Sequence, residues 1–325
     1  MISDRRFLFP VAVLVMTAVG LALALAPRLS SVRSAPAMHV VAMSRFSLAL
    51  IVLGLLVLAA LRRVRRRDGR GPAVATVAAA ALVVTSFVTA PGARATGGPP
   101  NPLPEDLTIV SWNTDQDTVP PSSIERLAED HDADVIVLPE YFGPLASAQL
   151  GPWATENGFQ ILWYDSSASS VLISERLGTY TVDGDDAPPW AGFVAVPDAD
   201  ENPRLVIAHL EHARLWSAGL WNEHLTWVAS ECAQENVVAV GDFNATRQNL
   251  QDGTLGACAD GATATGETGT GTWPVVLPAF LGAQIDRVMT GARWRTVSFS
   301  VVTSHDREGS DHRPIVAHVQ KGAPS

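Results

Sequence analysis

The segment VVAVGDFNAT, residues 237–246, turns from four apolar residues straight to Asp242 and Asn244, two positions apart. A carboxylate and a carboxamide at the mouth of a strand could orient a water molecule or hold a phosphate. Taken alone, Gly-Asp-x-Asn is also ordinary turn chemistry. The pattern recurs along the chain. Asn113 ends DLTIVSWN, Glu140 ends DVIVLPE, and His209 ends RLVIAH. Asp286 opens IDRVM, and Asp311 with His312 precedes RPIVAHV. Strand ends on one sheet edge are close in space, so this spacing predicts one cluster of four acids, two amides and two histidines.

Carboxylates held together repel, and some must take protons unless a cation joins them. Oxygen donors with amides suit Mg²⁺, Mn²⁺ or Ca²⁺ rather than zinc. A hard cation beside two histidines suits hydrolysis of a phosphate ester: the ion offsets charge on the phosphoryl oxygens, and an imidazole takes a proton from water. The plainer alternatives are a loop pair for Asp311 and His312 and a core position for His209. His131, His224 and His305 read as ordinary and His212 as a surface residue.

These side chains need strands to carry them. The apolar runs at 106–113, 134–141, 159–164, 169–174, 190–196, 204–210, 237–244, 283–290, 294–303 and 313–319 read as strands, with helices over 121–133 and 215–233. The Gly/Thr-rich stretch 256–274 reads as one long loop. Many strands and few helices point to a two-layer sheet sandwich flanked by helices. No internal repeat is visible. His209 has no evident acidic partner, and Glu175 is the nearest candidate.

The first hundred residues differ in kind. Residues 7–26 and 71–93 carry no charge, and 46–61 is a third uncharged run that lengthens past Arg45 to residue 38. A helix rises about 1.5 Å per residue against a hydrocarbon core about 30 Å thick, so 7–26 and 71–93 span it, and 46–61 spans only with Arg45 snorkelling to the headgroups. The first run could instead be a signal peptide and the second an interfacial helix. Arg62, Arg63 and Arg65–Arg67 place the loop between the second and third runs in the cytoplasm, so everything after residue 95 lies outside. The expected organisation is a membrane region over 1–94 (spans about 7–26, 39–61 and 72–92), a Pro/Gly linker over 95–105 and a catalytic domain over 106–321.

Charge divides the same way. Residues 1–100 hold 12 Arg and 2 Asp, whereas the remainder holds 11 basic and 31 acidic residues. A domain this acidic repels polyanions, which counts against a nucleic-acid partner. Cys232 and Cys258 are the only cysteines. They are either a disulfide, which an oxidising compartment permits, or two buried thiols.

The ordered set SWN, LPE, AHL, GDFNAT, IDRV and SDHRP resembles the endonuclease/exonuclease/phosphatase superfamily, which includes deoxyribonuclease I. The resemblance covers about residues 106–320. It implies an α+β, four-layer sandwich of two packed mixed sheets flanked by helices, here preceded by an N-terminal bundle of about three transmembrane helices. It implies Glu140 as the main ligand of Mg²⁺ or Mn²⁺, with Asn113 and Asp311 nearby. It implies Asp242 and Asn244 as positioning water and phosphate, His312 as base oriented by Asp286, and His209 as the second active-site histidine. LPE stands where many members have LQE, which removes an amide near Glu140. The N-terminal spans, Thr272–Pro274 (TWP) and GSDHRP are similar to actinobacterial VanJ-like membrane proteins. That closer likeness implies a multi-pass plasma-membrane protein with an extracytoplasmic site and a phospholipid or polyprenyl phosphate substrate such as undecaprenyl pyrophosphate. An extracellular nuclease and an inactive precursor-binding domain are the competing readings. Trp190, Trp216 and Trp221 are candidates for the membrane interface, and Trp273 for the substrate cleft.

Overall fold

The computed structural model describes residues 5–25, 43–65, 76–81, 103, 106–214, 216–250 and 253–322. Two N-terminal helices, α1 (Arg5–Leu25) and α2 (Ser44–Arg65), precede the domain. Among the described residues no helix is long and apolar enough to cross a membrane, so the expected three-span bundle is not found there. Residues 26, 39–42, 72–75 and 82–92 of the expected spans, and the 95–105 linker apart from Leu103, lie outside the described residues.

Among the described residues from 106 onward, thirteen strands form two mixed sheets. The first combines β1 (Leu107–Ser111), β2 (Val135–Leu138), β3 (Phe159–Trp163), β4 (Ser170–Ser174), β12 (Trp294–Val301) and β13 (Ile315–Lys321), in the order β12-β13-β1-β2-β4-β3. The second combines β5 (Tyr180–Asp183), β6 (Gly192–Pro197), β7 (Arg204–His209), β8 (Val237–Asp242), β9 (Thr254–Leu255), β10 (Cys258–Asp260) and β11 (Asp286–Thr290), in the order β5-β6-β7-β8-β11-β10-β9. Pairs β1–β2 and β7–β8 are parallel, and the other pairs antiparallel.

Period-two alternation explains the layers. Ile109, Val135, Val137, Ile173 and Ile315 of the first sheet meet Phe193, Leu205, Ile207, Val238, Val240 and Val288 of the second in one core. The opposite face of the first sheet, with Val110, Ile136 and Leu172, is covered by α3 (Pro121–Asp130) and α4 (Gly143–Glu156). The opposite face of the second, with Val206, Ala239 and Met289, is covered by Trp221, Leu225 and Val228 of α5 (Ala218–Glu231). Both central strands are therefore apolar on both faces, which is why they read as unbroken runs. Fully burying each such Val, Leu or Ile stabilises by roughly 1.5–3 kcal/mol.

Several expectations change. The stretch 256–274 is not one loop: β10 and a short helix α6 (Gly261–Thr265) form inside it. Asp260 caps that helix by accepting from the Thr263 backbone N–H at 3.0 Å. Helix α4 forms outside the expected helices: Pro144 and Pro152 both fall within it, and an internal proline removes a helical donor, which masks the helical pattern. Cys232 and Cys258 form a disulfide joining the end of α5 to β10. Trp221 is fully buried, whereas Trp190 and Trp216 are 63% and 81% exposed.

Candidate active site

The site is the last rung of the inter-sheet core. In the second sheet, inward positions run Val238, Val240, Asp242 on β8, Leu205, Ile207, His209 on β7, and back from Val288 to Asp286 on β11. Strand register sets His209 opposite Asp242 and Asp286 opposite Asp242. One row across three neighbouring strands thus carries His209, Asp242 and Asp286. In the first sheet, Asn113 lies two residues past β1 and Glu140 two past β2, and Asp311 and His312 approach β13 from the same edge. All eight expected residues are brought to this edge.

Glycine enforces the row at one point. Gly241 has φ +136°, and a Cβ there would lie 1.9 Å from the Ala208 carbonyl oxygen. Only glycine lets β8 approach β7 this closely just before Asp242.

Asn113 links the two sheets. Its Nδ2 donates to Glu140 Oε1 at 3.0 Å and to Asp242 Oδ2 at 3.1 Å. Its Oδ1 accepts from the Asp115 backbone N–H at 3.0 Å. Asn244, at φ +47°, donates its backbone N–H to Asp242 Oδ1 at 2.8 Å and its Nδ2 to the Leu210 carbonyl at 2.9 Å. Asn and Asp tolerate this left-handed region better than other side chains. Asp242 is therefore held by amide donors from both sheets.

His312 is 6% exposed and its Nδ1 lies 2.9 Å from Asp286 Oδ2. That contact assigns the proton to Nδ1 and leaves Nε2 facing Asp242 Oδ2 at 3.8 Å and Asp311 Oδ1 at 3.7 Å. Burial disfavours the charged imidazole, but the charges and hydrogen bond of Asp286, with Asp242 and Asp311, outweigh it and push His312 up to about 10. The backbone is fixed as firmly: Ser310 Oγ accepts the His312 N–H at 2.9 Å, and Trp112 Nε1 donates to the His312 carbonyl at 2.9 Å.

The acidic partner of His209 is Glu140, not Glu175. Nε2 of His209 lies 3.3 Å from Glu140 Oε1, whereas Glu175 begins the turn after β4. The hydrogen bond from His209 is the main reason Glu140 is lowered to about 2; burial opposes it, and Asn113 reinforces it. His209 is raised in turn, because its contact with Glu140 and the charge of Asp242 outweigh burial. Burial and the charge of Asp286 raise Asp242, against the histidines and the Asn244 N–H.

Asp115 is a further acid that the strand-end pattern missed. Burial, then the charges of Asp311 and Glu140, raise its carboxyl. It sits in a turn, with φ +47°, rather than at a strand end, so periodicity gave no sign of it. Its signal was the two-residue spacing from Asn113, the mirror of Asp242 and Asn244.

The donor set fits a hard divalent cation. Asp242, Asp286 and His312 offer ligand atoms all within 4.8 Å of one another. His312 Nδ1 is already engaged by Asp286, so this trio alone reads as a hydrogen-bonded pair beside a carboxylate. Asp115, Glu140 and Asp311 supply further negative charge: burial and then the other two raise Asp115, a repulsion that a cation among them would relieve. Trp273 Nε1 donates to Asp311 Oδ2 at 2.7 Å, so its indole holds a site acid.

The chain matches the Endonuclease/Exonuclease/phosphatase family over residues 110–312. No curated protein matches it. Among solved structures, D. rerio TDP2 complexed with single strand DNA product is 17% identical, with a TM-score of 0.52, covering 66% of this chain and 99% of its own. The human Nocturnin catalytic domain with bound sulfate anion is 12% identical, with a TM-score of 0.50, covering 68% and 96%. At these identities the likeness is one of fold.

Proposed function

We propose a lipid-phosphate hydrolase, on the premise that the chain belongs to the endonuclease/exonuclease/phosphatase family. It is a metal-dependent phosphoesterase. The finer reading is a membrane-anchored phosphatase whose site faces away from the cytoplasm and whose substrate is a lipid-linked phosphate or diphosphate such as undecaprenyl pyrophosphate.

The observation that carries the hydrolytic reading is the buried Asp286–His312 pair, with Nε2 turned toward Asp242. In this reading Asp286 keeps the proton on Nδ1, and a cation beside Asp311 and Asp242 would offset the charges that hold His312 protonated, freeing Nε2 to take the proton of the attacking water. Asp242 and the Asn244 amide orient that water and a phosphoryl oxygen. Glu140, Asn113, Asp311 and the neighbouring Asp115 would hold Mg²⁺ or Mn²⁺, which supplies charge to offset that building on the phosphoryl oxygens. His209 holds Glu140 as a carboxylate and adds a positive charge beside the phosphate.

The location rests on other observations. Helix α1 exposes Val11, Leu14, Val15 and Val19, and α2 exposes Leu50, Leu53, Leu56 and Val57. Apolar surfaces like these favour a hydrocarbon environment, and the uncharged runs in the sequence extend them. The Cys232–Cys258 disulfide supports an oxidising compartment. The acidic balance after residue 100 favours a small phosphate group over a polyanion.

The test uses the full chain reconstituted in vesicles. Phosphate release from a polyprenyl diphosphate and nicking of plasmid DNA are measured with Mg²⁺ and with EDTA, beside His312→Ala. The expected result is EDTA-sensitive phosphate release that falls by roughly 10²–10⁴-fold in the variant. DNA nicking without lipid-phosphate hydrolysis would overturn the substrate reading.

A further inference from the structure

The loop from Gly271 to Gly282 is held on three sides. Toward the site, Trp273 Nε1 donates to Asp311 Oδ2 at 2.7 Å, and the Val275 N–H donates to the Asp311 carbonyl at 2.9 Å. Beneath it, the buried Arg313 guanidinium reaches the carbonyls of Gly271, Val275 and Leu277 at 3.3, 3.1 and 2.9 Å, and pairs with Asp306 at 2.7 Å. On its outer side, the Ala279–Leu281 turn touches α2, and Arg45 of α2 donates to the Thr268 and Gly269 carbonyls just before the loop.

A loop anchored this well still leaves two large apolar side chains in water. Val276 is 84% exposed and Phe280 is 65% exposed. Val276 directly follows the residue that bonds Asp311, and Phe280 belongs to the turn against α2. Residues 271–282, GTWPVVLPAFLG, carry no charge at all. Helix α2, which the turn touches, exposes Leu50, Leu53 and Leu56 as well. Exposed apolar groups therefore occur on the helix, on the turn that touches it, and next to the residue that bonds Asp311. A polyanion would find no cation on this loop to meet its phosphates, whereas a hydrocarbon chain would meet only apolar surface.

We infer that Val276 and Phe280 seat the hydrocarbon chain of the substrate beside the helix, so that its phosphate enters the site past Asp311. The inference rests on the lipid-phosphate reading and assigns that reading a recognition surface. It makes the loop a selector of phosphates by what they are attached to, separate from the groups that carry out hydrolysis.

Two measurements on the full chain in phosphatidylcholine vesicles test it. The first compares kcat/KM for a polyprenyl diphosphate in the bilayer with that for bis(p-nitrophenyl) phosphate in water. In the double variant Val276→Ser, Phe280→Ser the ratio of the two falls about 10-fold or more, and an unchanged ratio overturns the inference. The second uses Val276→Cys carrying a polarity-sensitive fluorophore, which reacts there alone because both native cysteines are paired. Adding dihexadecyl phosphate to the vesicles shifts its emission to the blue relative to the same label at the exposed Asp130→Cys. No difference between the two labels overturns the seat. If the wild-type chain releases no phosphate from the lipid, the substrate reading fails, and the fluorophore shift still decides the seat by itself.

Discussion

Oδ2 of Asp286 lies 2.9 Å from Nδ1 of His312, and both side chains are almost wholly out of water. Because His312 is raised to about 10, it stabilises the metal-free fold fully below its unfolded value of about 6.5, and that stabilisation is lost as pH rises through about 10. Asp286→Asn removes the charge that raises it and leaves burial to depress it. We expect the melting temperature of the metal-free variant to depend less steeply on pH between about 7 and 10 than the wild type's. Its kcat should fall by roughly 10²–10⁴-fold. A wild-type pH slope retained in the variant would refute the assignment.

Asn113 touches Glu140 and Asp242 with one amide nitrogen, so it holds acids from both sheets. Asn113→Ala is expected to raise the Mg²⁺ concentration for half-maximal activity about 10-fold or more, as loss of ligand-orienting contacts does elsewhere. Isothermal titration with Mn²⁺ gives the same comparison without turnover. Asp115→Asn should weaken Mn²⁺ binding in the same direction, because it removes a carboxyl beside Glu140 and Asp311.

Glu140 is held at about 2 chiefly by His209. A lowered carboxyl stabilises the fold above its unfolded pKa, about 4.3, and that stabilisation is lost as pH falls through about 2. His209→Ala removes the main cause, so the Glu140 titration moves to higher pH and the acid limb of stability moves with it. Carbon-13 NMR of the Glu140 carboxyl checks the shift directly. A Glu140 titration left in place would mean that the 3.3 Å contact is incidental.

Gly241→Ala tests the backbone. Its Cβ would meet the Ala208 carbonyl at 1.9 Å, in a φ region that side chains rarely adopt. The expected loss is about 2–4 kcal/mol in chemical denaturation. The opposite control is Gly219→Ala in helix α5, where a Cβ meets nothing within 4 Å and the better helix former should be neutral or slightly stabilising.

Much of this site was legible before any coordinates, for a physical reason. Inward-facing positions of a strand recur every second residue, so a polar residue that ends an apolar series marks the open end of the core. Val238, Val240 and Asp242 make such a series, as do Leu205, Ile207 and His209. What escaped that logic lies off the strands. Asp115 occupies a turn, and the pairing of Glu140, itself marked by the end of β2, depends on its backbone at φ +60° past that strand. That geometry turns Glu140 toward His209, a partner whose identity depends on how two sheets face each other, which periodicity within one strand does not encode. The prolines of α4 and the glycines around β10 and α6 concealed those elements, because both residue types ordinarily punctuate structure.

Asn113 joins acids that belong to different sheets, and this has a consequence for the life of the chain before it is finished. Neither sheet by itself owns a complete hydrolytic set: Glu140 and His312 arrive with one, His209, Asp242 and Asp286 with the other. A nascent or proteolysed chain that has built only one half is therefore silent toward phosphate esters. Activity becomes a readout of complete maturation, because the hydrolytic set exists only once both sheets face each other.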